Sequence, residues 1–317
     1  MKFSLDAEQH DFAASIDSAL GGADVPAAVR AWHKGDTAPG REIWTRLADL
    51  GVTALAVAEE SGGIGAHPVD LVVAVERLGR WCVPGPVAES LAVAPVLLDG
   101  DPRSADLAAG ELIATAAMPP EVPRAADADF AGLVLLAGQD TVRDATPTAA
   151  HESVDPARRV FDVEASGEAR QADTARAFDF GALATAAQLV GAGQAMLDMT
   201  VAYTKQRNQF GRPIGSYQAV KHKLADVHIA LELTRPLVYG AALALADRSP
   251  AAPRDVSAAK AAASDAALVA ARTSLQIHGA IGYTAEHDLS QFLLRVQALR
   301  SAWGAPAAHR RRVLEAL

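Results

Sequence analysis

A single cysteine, Cys82, in 317 residues excludes an internal disulfide and any multi-cysteine zinc or iron–sulfur site, and it fits a reducing cytosol. Aromatic residues make up only 5%, which disfavours an all-β sandwich. Positive charge is short as well. With 29 Lys+Arg against 38 Asp+Glu the net charge is −9, so nucleic acid is excluded as a main partner and any anion must be met by a local patch. No 18-residue uncharged apolar run is read as a membrane span. The start, Met1-Lys2-Phe3-Ser4-Leu5-Asp6-Ala7-Glu8, carries acids where a signal peptide needs an apolar run, so a cytoplasmic protein away from membranes is expected. What the chain does have is alanine, within a 50% hydrophobic composition and a mean hydropathy of +0.10. That combination favours a folded protein of long, closely packed helices, because alanine loses no side-chain entropy and lets helix axes approach.

The pattern divides the chain in three. Residues 1–100 read as an N-terminal helical domain: Ile43, Leu47 and Leu50 share a helical face ahead of a capping Gly51, and Pro68 opens a helix running to about Arg80. Residues 101–177 carry short apolar runs at 112–117, 133–137 and 160–163 between Pro, Gly and Asp, and read as a reduced β domain. From Phe178 the helical period returns, with Leu183, Val190 and Leu197 at sevens and Val220, Leu224, Val227 and Leu231 at fours and threes. This predicts a four-helix bundle over 178–317. The expected fold is mainly α with a small β middle domain.

Two segments stand out. Between Tyr203 and Lys223 lie Lys205, Arg207, Arg212, Lys221 and Lys223 without one acid. Cations favour a helix C-terminus, so a solvated helix end accounts for part of this; a phosphate site between Arg207 and Gln218, brought together by a turn at Gly211 and Pro213, is the sharper reading. The other segment is Gln276-Ile277-His278-Gly279-Ala280-Ile281-Gly282-Tyr283, whose glycines let backbone turn tightly or approach a ligand.

Tyr203-Thr204-Lys205-Gln206-Arg207-Asn208-Gln209-Phe210-Gly211-Arg212-Pro213-Ile214, continuing through Gln218-Ala219-Val220 to Leu224-Ala225-Asp226, resembles a signature of the acyl-CoA dehydrogenase family. Gln276 to Tyr283, followed by Glu286, resembles a second. Ala58-Glu59-Glu60-Ser61-Gly62-Gly63 is similar to the family's Pro-Glu-Glu-Tyr-Gly-Gly loop, with Ala58 replacing the proline. The resemblance implies an N-terminal helical domain, a β domain and a C-terminal four-helix bundle. It implies an FAD cofactor and a glutamate that removes the α-proton of an acyl-CoA thioester while the flavin takes the β-hydride.

Both family positions for that glutamate are empty of acid. Aligning Arg295 with the family's Arg-Asp-Ala arginine puts Gly304 at one, with Pro306 where the family has a flavin-contacting threonine; counting back from Phe210 puts Gly181 or Ala182 at the other. Asp179 is nearest, and helix N-capping is its favoured role. The Thr/Ser-rich and Trp-Ile-Thr-type strands that hold a flavin ring are also missing. What survives are Arg207, Gln209, Phe210, Gln218, Gln276, Gly279 and Ala280, at positions by which the family grips the ADP half of an FAD whose ring lies in the neighbouring subunit. The resemblance therefore extends to the paired αβ dehydrogenases of actinobacterial steroid degradation. It implies a non-basic subunit in an α2β2 heterotetramer with a homologous partner and an acyl-CoA or steroid-CoA substrate. A self-sufficient homo-oligomer using a base such as Asp179, and a flavin-free structural homologue, are the alternatives.

Other residues carry plainer expectations. Gly191-Ala192-Gly193 is assigned to close helix packing, and Gly62-Gly63-Ile64-Gly65 to a turn. His222, His228 and His278 lack metal-ligand spacing, Cys82 is expected in the core, and 309–312 places cations at a helix end.

Overall fold

In the computed structural model, which describes residues 4–317, the first hundred residues form helices α1 (Ala7–Gly21), α2 (Val25–His33), α3 (Ala38–Asp49), α4 (Pro68–Arg80) and α5 (Ala94–Leu97). Gly51 follows α3 at φ 75° and Pro68 sits in the first turn of α4, as the sequence predicts. A π-helical turn, Glu89–Val93, leads into α5, and the short α6 (Ser104–Ala109) leads to the sheet.

The middle sheet contains β1 (Ala114–Ala117), β2 (Ala125–Ala126), β3 (Leu133–Ala137), β4 (Thr141–His151), β5 (Val160–Ala165) and β6 (Arg170–Gln171). Its order is β1-β3-β4-β5-β2, with β6 against β4; only β1 and β3 run parallel. The three apolar runs are strands as expected. The longest strand, β4, is one the apolar pattern omits: it is polar and mostly solvent-facing, and its register shifts between Pro147 and Ala149.

The remainder is helical: α7 (Thr174–Gln206), a two-stranded hairpin β7 (Asn208–Gln209) and β8 (Arg212–Pro213), then α8 (Gln218–Ala246), α9 (Ala252–His278), α10 (Leu289–Ser301) and α11 (Pro306–Glu315). Three of these five helices are long, where four long ones were expected. The first begins at Thr174 rather than Phe178, because Asp173 caps it by accepting from the Arg176 amide. Asp179, expected as an N-cap, lies inside α7.

Glycine brings these helices together. A Cβ on Gly191 would lie 1.9 Å from the Glu76 carbonyl oxygen, and one on Gly79 would lie 2.3 Å from that of Gln188, so α4 and α7 cross with backbones touching. The 180–197 stretch of α7 holds no charge. Both α7 and α8 are long and apolar enough to cross a membrane. The apolar window of α7 is 94% buried inside the fold, however, which makes α7 a core helix; that of α8 is only 39% buried. Ile229, Leu233 and Leu237, at successive intervals of four on α8, stand exposed.

Candidate functional site

The basic segment folds as a helix end and a tight hairpin. Arg207 closes α7, its carbonyl accepts from the Ile214 amide at 2.8 Å, and the chain reverses at Phe210 (φ 53°) and Gly211 (φ 80°). Two successive left-handed residues match the primed turns of two-residue hairpins. The Tyr217 hydroxyl donates to the Gln209 carbonyl at 3.2 Å, and the Arg212 guanidinium lies 4.1 Å over the Tyr217 ring, so the hairpin is braced against the start of α8. Phe210 at its tip is 92% exposed. A phenyl ring held out by a braced turn is an apolar surface awaiting cover.

Beside the hairpin is a groove of about 380 Å³ lined by Gln209, Phe210, Tyr217, Lys223, Gln276 and Ile277 among others. Three of the seven expected cofactor residues, Gln209, Phe210 and Gln276, therefore share one wall, and the Lys223 ammonium donates to Gln276 Oε1 at 2.9 Å. Gln218 opens α8 between two lining residues, Tyr217 and Ala219. Arg207 stands at the hairpin's base outside the groove. Gly279 and Ala280 lie just past it, where Gly279 takes φ 67° and ψ −146° with no atom within 4 Å of a would-be Cβ. Behind this turn His278 is buried and stacked on Tyr203 at 4.3 Å; its Nδ1 donates to the Ser274 carbonyl, and burial lowers its pKa.

The two expected base positions lie at a different place, and they meet. Trp303 is fully buried, and its indole covers Gly181 so closely that a Cβ there would sit 2.4 Å from the ring. The indole N–H donates to Glu89 Oε1 at 3.0 Å, the same oxygen that accepts from Arg158 at 3.0 Å. Gly304, at φ 99°, is equally closed: a Cβ would lie 2.5 Å from His309 Nε2. The Trp303 indole thus closes the Gly181 position and the His309 ring closes the Gly304 position. The small void beside the indole, bordered by Glu89, Arg158, Gln188 and Arg295, measures about 10 Å³, room for about one water.

Two buried bases that sequence reasoning assigned elsewhere or missed hold this plug. His309 Nε2 donates to the Trp303 carbonyl at 2.8 Å and its Nδ1 accepts from Ser257 at 3.2 Å, so the residue expected among helix-end cations is a neutral core imidazole. Lys260, set among alanines in α9, donates to the carbonyls of Leu299, Arg300 and Gly304, each at 3.2 Å, capping α10; burial pulls its pKa down to about 7. Nothing in its local sequence distinguishes it from a solvated lysine.

Burial also lowers the His309 pKa, to about 4. Since the unfolded imidazole titrates near 6.5, the unfolded chain binds the extra proton between those values. The stabilisation is complete above pH ~6.5 and is lost as pH falls toward 4. Urea midpoints measured from pH 7.5 to 4.5 should fall with a step that flattens in His309→Gln; an identical profile in the variant would contradict this.

Asp179 is buried and ion-paired with Arg312 at 2.9 Å, with burial raising its pKa. It is neither N-cap nor free carboxylate. Cys82 is buried as expected, its thiol pushed up to about 11 by burial. Gly193 approaches Leu231 and Ala267, and Gly63 packs on Val57, which bears out the packing and turn assignments.

Sequence comparison matches residues 6–104 to the acyl-CoA dehydrogenase N-terminal domain model and 172–317 to the C-terminal domain model. The chain is 32% identical over 295 residues to the acyl-CoA dehydrogenase IpdE2 of Mycobacterium tuberculosis, covering 91% of this chain and 90% of that one. Among solved structures it resembles the ChsE4–ChsE5 complex of M. tuberculosis (TM-score 0.85, 22% identity, 99% and 98% covered). It also resembles butyryl-CoA dehydrogenase of Megasphaera elsdenii (TM-score 0.85, 20% identity, 100% and 99% covered).

Proposed function

Because the chain belongs to the acyl-CoA dehydrogenase family, oxidoreductases acting on CH–CH bonds, we propose that it is the non-basic subunit of a heteromeric, FAD-dependent member. In that role it lends the ADP-side contacts of a shared cofactor, and a homologous partner supplies the catalytic glutamate and the flavin-ring pocket. The observation that carries the reading is the contrast between its two sites. Where a base should stand, Gly181 and Gly304 are sealed by Trp303 and His309; where an ADP group should lie, the groove is open.

The residues present fit half of the cofactor. The amides of Gln209 and Gln276, the Lys223 ammonium and the exposed Phe210 ring suit a nucleotide's phosphates and base, and the uncovered Gly279 leaves backbone free for close approach. Arg207 and Gln218 flank this set, and Ala280 offers a small side chain at its edge. The 10 Å³ void at Glu89 holds no isoalloxazine. When bound, the flavin supplies hydride acceptance; this chain's part is to position its distal half. The exposed apolar stripe Ile229, Leu233 and Leu237 on α8 gives a partner subunit a surface to cover.

An α2β2 assembly and a steroid-derived acyl-CoA are supported by the likeness to ChsE4–ChsE5, itself a complex of two different chains, and to a structure described as the Tcur3481–Tcur3483 steroid dehydrogenase. The three-part division at about 100 and 177 belongs to the same proposal. The test is purification alone and with a homologous partner. The chain alone should not oxidise acyl-CoA, the complex should carry FAD, and Arg207→Ala should lower its flavin content severalfold while leaving the complex assembled. Stoichiometric FAD and acyl-CoA oxidation by the isolated chain would overturn the proposal, and a colourless complex would favour a structural homologue. A self-sufficient enzyme based on Asp179 is disfavoured by its ion pair with Arg312.

A further inference from the structure

A cleft of about 770 Å³ lies at the other end of α7 from the hairpin. Arg176 and Arg207 are 31 positions apart on or beside that helix, roughly 45 Å at 1.5 Å per residue, so the cleft is independent of the proposed nucleotide groove. Its size falls within the range of small-molecule sites.

Part of its wall is apolar: Ala58 from the loop before α4, Pro68 and Leu71 from α4, Pro95 and Leu97 from α5, and Phe180 from α7. On one side stand two arginines. Arg176 is half-buried, fixed by donation to the Leu245 carbonyl at 3.1 Å and by stacking 4.9 Å over Phe180. Arg248, just past the end of α8, is exposed and held at φ 48°. Neither is ion-paired with a carboxylate among the described residues, although the protein as a whole is acidic. Burial and then the nearby Arg248 lower the Arg176 pKa, while the Asp173 and Asp179 carboxylates act in the opposite direction. Two arginines without an ion-pair partner, lining a cleft with this apolar wall, can receive a negative group with an apolar body, although Asp173 at the start of the same helix as Arg176 shares the lining.

The rim also limits that charge. Asp99 and Asp173 line the same cleft, and Asp173 is committed to capping α7. Two acids in the same cleft as two arginines disfavour a dianion such as a phosphate monoester and admit at most a single negative charge. We propose that this cleft binds a carboxylate-bearing lipid, its carboxylate against Arg176 and Arg248 and its hydrocarbon body against the α4, α5 and Phe180 surface.

The test uses the full chain and three probes with one tail: decanoate, decanol and decyl phosphate, titrated by calorimetry below their critical micelle concentrations. Decanoate should bind saturably at one site, at least about tenfold more tightly than either of the others. Arg248→Asn, which retains a residue at ease with positive φ, should weaken decanoate about tenfold and leave decanol unchanged. Thermal melting confirms that the variant is folded. Equal binding of decanoate and decanol, no saturation, or decanoate binding indifferent to Arg248→Asn would each overturn the proposal. Tighter binding of decyl phosphate would overturn the assignment of a monoanion. Flavin content of the complex reports separately on the nucleotide groove, so failure of one reading leaves the other standing.

Discussion

Gly181→Glu is expected to unfold the chain rather than to furnish it with a base. The first side-chain carbon would already stand 2.4 Å from the Trp303 ring, and the carboxylate would have to follow into a space closed by Phe178, Trp303 and Glu89. Overpacking alone costs about 1–3 kcal/mol, and a buried carboxylate beside another acid adds several more. The loss should exceed about 4 kcal/mol, a large part of the stability of a domain. Gly304→Glu fails for a different reason: its backbone has φ 99°, and its Cβ would meet His309 at 2.5 Å.

The deciding measurement is the double variant. Trp303→Ala alone should cost about 3–5 kcal/mol by emptying the indole's space. If the ring is what forbids the glutamate, Gly181→Glu combined with Trp303→Ala should be less destabilised than the sum of the two by more than 1 kcal/mol in urea unfolding, because they compete for one volume. Strict additivity, or a Gly181→Glu single variant as stable as the parent, would show that the indole does not plug the site. Activity appearing in that single variant would show, further, that the pocket is open to substrate.

Register against Arg295 and Phe210 picked out Gly304 and Gly181 as the positions at which the resemblance expects a base. The side chains that close over them were not legible. Register names the residue at a position but not the direction in which its neighbour points, and Trp303 reads as one more hydrophobic until its positive φ turns the indole inward over Gly181. The same limit applies to Lys260 and His309, whose roles depend on the end of α10 and the loop after it. Helix α4 was read correctly because Pro68 and an amphipathic period agree on it. Strand β4 was missed because its pairing with β3, β5 and β6 rests on main-chain bonds, and its side chains face water too often to leave an apolar signature. Asp179 was given a cap's role because the helix was started four residues late; Asp173 is the cap. At the groove beside the hairpin the motif itself was the signal, and the structure places Gln209, Phe210 and Gln276 around one space.

Arg295 aligned the sequence, and it also joins the fold. From α10 its guanidinium reaches Asp155 and the Ala157 carbonyl in the loop before β5, and the Val83 carbonyl after α4, the last at 2.9 Å. One side chain therefore ties the C-terminal helices to the middle sheet and to the N-terminal helices, and it is buried, as is Asp155. A buried charge pair of this kind need not stabilise relative to apolar replacements, but losing one partner leaves the other charge stranded. Arg295→Met should accordingly cost about 3–5 kcal/mol, with the Asp155 charge left to the Ala157 amide at 2.9 Å and the more distant His33 at 3.7 Å. Replacing both residues, as Arg295→Met with Asp155→Leu, should recover at least about 2 kcal/mol of that loss in urea unfolding, although the carbonyls of Val83 and Ala157 then lack their donor. A single variant with an unchanged midpoint would mean that the staple carries no stability. A double variant no better than the single would mean that the stranded carbonyls, rather than the stranded carboxylate, set the cost.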